Sequence, residues 1–361
     1  MRTRIAALVA GMVAVLPVAP STALAPDLPT DLPTAGAAPD NPLAGHRMGV
    51  YKGSAEQSWE PYVRATGKRK QLLAKIARRP KAKWFGAWSG SPAEIGPKIR
   101  NYVRASTGGD DDVLVQMTVF RMVPWEQETC ERLPTKKERR QYHRWIDRFA
   151  AATGRAHAAI ILQPDGPFAL CAPHGSRLPS RMIADAARRF AELPHASVYI
   201  DAGASDWPKD DPRTAATILE RAGVEHARGF ALNVTHYTST AENIRHGAAV
   251  VAELARRGIE DVHFVVSTAE NGRPFHFDEY RGSHPNNAKV CGSRGERKCV
   301  TLGIPPTTRV AAARWGLPDD ARALAAQYVD AYLWIGRPWL VRQTDPFSMK
   351  RALGMARTTP Y

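Results

Sequence analysis

The chain has 361 residues, 44% of them hydrophobic and 24% charged, a composition that excludes a chain disordered over most of its length. Lys and Arg outnumber Asp and Glu by 50 to 35, a net charge of +15. The basic residues are dispersed, so the excess reads as a solvated exterior and gives no argument for nucleic-acid binding beyond charge; Lys68 to Lys81 holds the one cluster, on a helix face.

Met1-Arg2-Thr3-Arg4 is a basic start, Ile5 to Pro20 is apolar but broken by Gly11 and Pro17, and Ala23-Leu24-Ala25 is a small-x-small cleavage site. Residues 1–25 therefore read as a secretory signal peptide, which predicts a secreted protein with no membrane anchor after its removal. An uncleaved anchor is the alternative, against which the apolar core is short for a span. Residues 26–45 repeat Pro, Ala, Asp and Thr and read as a linker or tail. About 315 residues remain over 46–361, enough for one large domain. Four cysteines in an oxidising compartment allow three pairings, and proximity favours Cys130 with Cys171 and Cys291 with Cys299. No Cys-x-x-Cys or His-x-x-x-His spacing argues for a metal, and no cofactor is implied.

After the linker, Trp59 to Ala77 reads as a helix with one buried face, followed by a short strand over Lys83–Trp88. Ser91–Ser106 has helix composition and Asp112–Met122 alternates as a strand. Thr135 with Glu138 makes a capping box for a helix that runs to Ala152, with Gly154 as its stop. Strands at 158–162, 196–201, 227–234, 263–267 and 331–335 are separated by helices at 180–192, 212–222, 240–257 and 319–329. Strand and helix alternate over six to eight units, which predicts an α/β fold, best a β/α barrel, with a doubly wound sheet as the alternative.

The strand Ala158-Ala159-Ile160-Ile161-Leu162 ends in Gln163-Pro164-Asp165-Gly166. Pro164 cannot continue a central strand, so Asp165 is presented at the carboxyl end, where α/β folds gather their catalytic groups. Fenced by Ile161, Leu162 and Phe168, this carboxyl is expected to be partly desolvated and raised in pKa, as a general acid requires. Pro-Asp-Gly is also a common turn, which leaves a plain turn residue as the alternative. Trp84, Trp88, Trp125, Trp207, Trp334 and Trp339 fall at similar strand-end positions, beside Glu126, Glu128, Asp201, Asp206, Asn233, His236, Glu270 and Asp345. Flat aromatic faces rimmed by carboxylates and amides suit sugar rings, although any single Trp is more often core.

In this order, several strand ends resemble glycoside hydrolase family 6, the inverting cellulases. Gln163-Pro164-Asp165 is similar to the family's Glu-Pro-Asp, Tyr199-Ile200-Asp201-Ala202-Gly203 to its Tyr-Leu-Asp-Ala-Gly-His, and Arg228-Gly229-Phe230-Ala231-Leu232-Asn233-Val234 to its Arg-Gly-Phe-Ala-x-Asn-Val. Tyr142 to Ala150 resembles the preceding family helix, and Asp330 to Ile335 the strand that leads to the proposed base. The resemblance runs from about Lys83 to Phe347. It implies a single distorted β/α barrel of about seven strands, and a secreted endo-β-1,4-glucanase acting with inversion on a β-glucan polysaccharide as a monomer. Endo action follows from the absence of a long insertion near Cys291–Cys299.

On this resemblance Asp165 is the general acid. The family keeps an Asp before its first disulfide cysteine; Thr129 stands there, so Glu128 or Glu126 would replace it as a supporting carboxylate. The family's Lys and Pro-Gly-Glu-x-Asp loop after the last strand is replaced by Gly336 to Asp345, which leaves Asp345 as the expected base and Arg337 or Arg342 as the positive charge. Trp84, Trp125, Asp201, Trp207, Asn233, Trp334, Arg337 and Trp339 are expected to bind substrate. Asn233-Val234-Thr235 is also a glycosylation sequon, with ligand contact by Asn233 preferred. These departures keep two alternatives open: a glycan-binding protein that has lost turnover, and a hydrolase of an anionic wall polysaccharide that its positive charge would attract.

Overall fold

The computed structural model describes residues 41–125, 128–208, 211–282 and 284–361. The expected signal peptide, most of the expected linker and Glu126 lie outside the described residues. Every described residue falls in one compact unit, Ala35–Tyr361.

The strands are β1 (Arg47–Met48), β2 (Lys83–Gly86), β3 (Val113–Phe120), β4 (Ala158–Leu162), β5 (Ala196–Asp201), β6 (Gly229–Leu232), β7 (His263–Ser267) and β8 (Val329–Leu333). All pair in parallel in the order β1-β3-β4-β5-β6-β7-β8. β2 also pairs with β3, on Met117–Phe120, whereas β1 takes Val113 and Leu114. The two short strands thus follow one another along the same edge, and the sheet is seven strands wide.

This sheet is a curled half-barrel. Alternate residues from successive strands (Leu114, Ala159, Ile161, Tyr199, Ala231, Val265, Ala331) meet each other in one cluster. The intervening residues, such as Met117, Ile160, Val198, Phe230 and Val266, pack outward with the helices. A period-2 side-chain pattern whose one face closes on itself is a barrel's; a doubly wound sheet has helices on both faces. The rims of the two edge strands meet, since Ala82 N donates to Trp334 O at 2.9 Å and the Trp84 indole N–H to Ile335 O at 2.8 Å. Gly229 permits the close approach of β6 and β7: a Cβ there would stand 1.7 Å from His263 O.

At the amino end of the barrel a register shift between Phe264 and Val265 leaves Asp330 as an extra residue in β8. Its wholly buried carboxylate accepts from Tyr199 Oη at 2.8 Å and from Arg228 Nε and Nη2 at 2.9 and 3.1 Å. Burial pushes its pKa up, but hydrogen bonds from His263, Arg228 and Tyr199 outweigh that and hold it below the usual range.

The helices largely follow the sequence. Lys136–Thr153 starts on the Thr135–Glu138 capping box and stops at Gly154; Pro92–Thr107 starts on a second box, Ser91 with Glu94. The helix expected over 59–77 is two, Trp59–Arg64 and Gly67–Ala77, because Ala65 and Thr66 are extended and Gly67 takes a φ of +52°. β8 lies two residues earlier than expected, which places Trp334 beyond the strand. Both expected disulfides are present, Cys130–Cys171 and Cys291–Cys299. Among the described residues, no helix is long and apolar enough to cross a membrane.

Candidate active site

The turn after β4 is built under constraint. Gln163 and Asp165 both have left-handed backbones, with φ of +54° and +59°, on either side of Pro164. Such conformations are costly for non-glycine residues and persist where the surroundings fix them. Here Gln163 N donates to Val119 O at 2.8 Å, and its side-chain oxygen accepts from Met122 N at 3.3 Å. Asp165 N donates to Asp201 Oδ2 at 2.6 Å. Gly166 lets the turn lie on β5, because a Cβ there would stand 2.5 Å from Asp201 O.

The Asp165 side chain is half-buried, and its Oδ1 accepts from Thr235 Oγ1 at 3.1 Å. Asp201 is buried, and its Oδ1 accepts from Gly203 N at 3.3 Å. Burial first, then the Asp165 charge, push the Asp201 pKa well above the ordinary carboxylate value, against the pull of its backbone N–H donors. Three strand ends therefore converge on one carboxyl: β4 carries it, β5 holds its backbone and the loop after β6 holds its oxygen.

An aromatic ledge lies along the loops after β5 and β6. Trp207, half-buried, has its ring 5.2 Å from Phe168 and stacks on His236 at 5.4 Å with 17° between the planes. His236 Nδ1 is 2.8 Å from Asp206 Oδ1, while Asp206 Oδ2 accepts from Phe277 N at 2.9 Å. Burial pushes Asp206 up, but its bond to His236 and the other contacts outweigh this and hold it low, so the ledge is braced by a carboxylate. At the other rim, Trp88 is 60% exposed and packs 6.1 Å from Phe120, which meets Trp125 edge-on at 5.8 Å.

Asp345 is exposed and accepts from Gln57 Nε2 at 3.3 Å. Its charge acts on Arg337, whose guanidinium stands 4.6 Å over the Trp84 ring; burial lowers Arg337 to about 10 and Asp345 pulls the other way. Trp84 itself is buried. Nearby, Glu270 is buried, its two oxygens accepting from Gln343 Nε2 at 3.2 Å each, and burial raises it to about 8.

Several expected ligands are placed elsewhere. Trp334 and Trp339 are 2% and 1% exposed, and Trp334 Nε1 donates to Ile304 O at 3.0 Å. A sugar platform needs an open ring face, and these two rings sit in the core. Asn233 is wholly buried: its Nδ2 donates to Thr238 O and Ser267 O at 3.3 and 3.0 Å, and its Oδ1 accepts from Thr238 Oγ1 at 3.1 Å. It ties β6 to β7, with its amide group enclosed and hydrogen-bonded within the protein. Glu128 is exposed and paired with Arg132 at 2.7 Å, in a network with Glu138. Thr235 and Gln57 had no signal in the sequence, because their roles depend on which loops meet.

The profile of glycosyl hydrolases family 6 matches residues 48–339, ending before Asp345. The chain is 32% identical over 259 residues to "Endoglucanase 1" of Streptomyces halstedii, covering 71% of this chain and 74% of that protein. It is 28% identical over 293 residues to "Endoglucanase A" of Cellulomonas fimi, covering 80% of this chain and 55% of that one. The endoglucanase Cel6 of Mycobacterium tuberculosis, solved with methyl-cellobiosyl-4-deoxy-4-thio-β-D-cellobioside, superposes with a TM-score of 0.70 at 26% identity, covering 88% of this chain and 99% of that one. A parallel half-barrel with a carboxyl at the end of β4, matched by this profile over most of its length, fixes the assignment: the chain is a glycoside hydrolase and belongs to glycosyl hydrolases family 6.

Proposed function

We propose that the protein is a secreted, endo-acting β-1,4-glucanase that cleaves with inversion, with Asp165 as its general acid. The observation that carries this is the Asp165 turn, where strained backbone, the Asp201 carboxyl group and the Thr235 hydroxyl fix one acid at the carboxyl end of the strands. Asp165 gives its proton to the leaving oxygen. Asp345, exposed and with its charge acting on Arg337, takes the proton of the attacking water. An inverting site keeps its two carboxyls about 6.5–9.5 Å apart so that water fits between them. Asp201 positions the acid, a role that the Arg132-paired Glu128 is less well placed to fill. Trp207 and Trp88 offer ring faces to the glucan. The endoglucanase names of the curated relatives support endo action.

The net charge of +15 favours a second reading of the substrate, an anionic wall glycan. One experiment separates the two. The secreted protein is given soluble neutral β-1,4-glucan and an anionic derivative at low and high salt, with viscosity and product anomer followed. The proposal expects a rapid viscosity fall and α-anomer from the neutral glucan at both salts. Turnover only of the anionic polymer, lost at high salt, supports the second reading; β-anomer product contradicts inversion.

A further inference from the structure

Three side chains of metal-ligand type that lie far apart in sequence, with a fourth stacked beside them, meet at the amino end of the barrel. His46 precedes β1, Asp112 precedes β3, His157 precedes β4 and His195 precedes β5. Parallel register brings the residues before neighbouring strands side by side: Arg47 pairs with Val113, and Ala158 with Ala196. One ligand atom from each of His46, Asp112 and His157 lies within 4.8 Å of the others. The His157 ring is 3.9 Å from that of His46 and stacks at 4.6 Å on His195.

The surroundings suit a cation. His46 Nδ1 lies 3.0 Å from the Asp112 backbone oxygen, the kind of outer bond that orients a ligating imidazole. Arg47, the adjacent basic residue, is paired with Asp110 at 3.1 Å and leaves the Asp112 carboxylate alone. His46 and His157 are half-buried while Asp112 and His195 are exposed, which gives an ion both a floor and an entry path. Ligands at 2.0–2.2 Å around a tetrahedral ion stand roughly 3.4 Å apart, so modest side-chain rotation closes the shell. β4 puts roughly 17 Å between this cluster and the Asp165 turn.

We propose that His46, Asp112 and His157, joined by His195, bind one divalent transition-metal ion of the zinc, nickel or copper class. Imidazole with carboxylate is the donor set that such ions prefer over calcium or magnesium. The ion fastens the amino-terminal segment to the barrel floor, adding to the two residue pairs of β1, the buried Leu43, the Arg47–Asp110 ion pair and the Asn41 hydrogen bond to Asp330 O.

The test uses the full chain without a histidine tag, stripped with EDTA, then titrated with zinc by calorimetry and with cobalt by visible absorption. The expected result is one ion per chain, the strong absorption of four-coordinate cobalt, and a Tm rise of about 5 °C at a zinc concentration a hundredfold above Kd. His46→Ala and His157→Ala should each weaken binding at least tenfold while keeping the Tm of the metal-free protein. Asp112→Asn, which keeps the shape and removes the charge, should weaken it too. No stoichiometric uptake, or uptake unchanged in the His46→Ala/His157→Ala double variant, overturns the proposal.

Discussion

Asp201 Oδ2 accepts the backbone N–H of Asp165 at 2.6 Å, so the buried carboxyl of one strand end holds the main chain of the next. Asp201→Asn keeps the shape but can turn an amide N–H toward that backbone N–H. A shift of the acid of about 1 Å costs on the order of a hundredfold in rate. The expected outcome is a kcat on β-1,4-glucan lower by ten- to a hundredfold with KM changed less than threefold. An unchanged kcat would remove the positioning role.

Thr235 adds a second restraint from the other side. Thr235→Val removes the hydroxyl that donates to Asp165 Oδ1 and keeps the side-chain volume. A hydrogen bond to a carboxylate contributes about 1.5–3 kcal/mol, so kcat should fall by roughly ten- to a hundredfold with folding intact. Steady-state kinetics beside a thermal melt read both quantities.

Trp207 is held by Phe168 and His236, so its truncation should act on binding rather than on chemistry. Trp207→Ala is expected to raise KM for cello-oligosaccharides by roughly two- to tenfold, the scale of an aromatic contact worth 0.5–1.5 kcal/mol. Calorimetry of ligand binding in an Asp165→Asn background measures it without turnover.

Glu270 gives a stability prediction with a definite sign. Burial raises its carboxyl from the ordinary 4.5 to about 8 in the fold. The folded state therefore keeps the proton more tightly than the unfolded chain. The stabilisation is full below about pH 4.5 and is lost as pH rises from there through 8, at about 1.4 kcal/mol per pH unit. Glu270→Gln mimics the protonated form. Urea unfolding at pH 5, 6.5 and 8 should show wild type losing stability relative to this variant across the series; parallel curves would reject it.

Arg228 neutralises the buried Asp330 at the amino end of the barrel. Arg228→Ala leaves that carboxylate, among the described side chains, with Tyr199 and His263 and should cost about 3 kcal/mol in urea unfolding. The Arg228→Met/Asp330→Leu pair, which removes both charges, should recover most of that loss.

Much of the barrel could be read from the chain because its signals are local. The Thr135–Glu138 box, Gly154 and the Gln163-Pro164-Asp165-Gly166 turn each act through neighbours in sequence. The site was legible only where one strand end carries its own chemistry, as at Asp165. Thr235 and the imidazoles of His46 and His157 join it or each other only through topology, which no spacing displays. Trp334 shows the cost of a boundary error: β8 ends at Leu333, and two residues of slip turn an expected platform into a core indole bonded to Ile304. Glu270 looked like one more polar strand end; that Gln343 closes over it follows from the fold of the last loop.

The acid role of Asp165 is tested most directly by changing the leaving group. Asp165→Asn is compared with wild type on β-1,4-glucan and on a glycosyl fluoride, whose leaving group needs no proton. General acid catalysis is worth about 10²- to 10⁴-fold, so the variant should lose that factor on glucan and keep most of its rate on the fluoride. Equal losses on both substrates, or no loss on glucan, would contradict Asp165 as the proton donor.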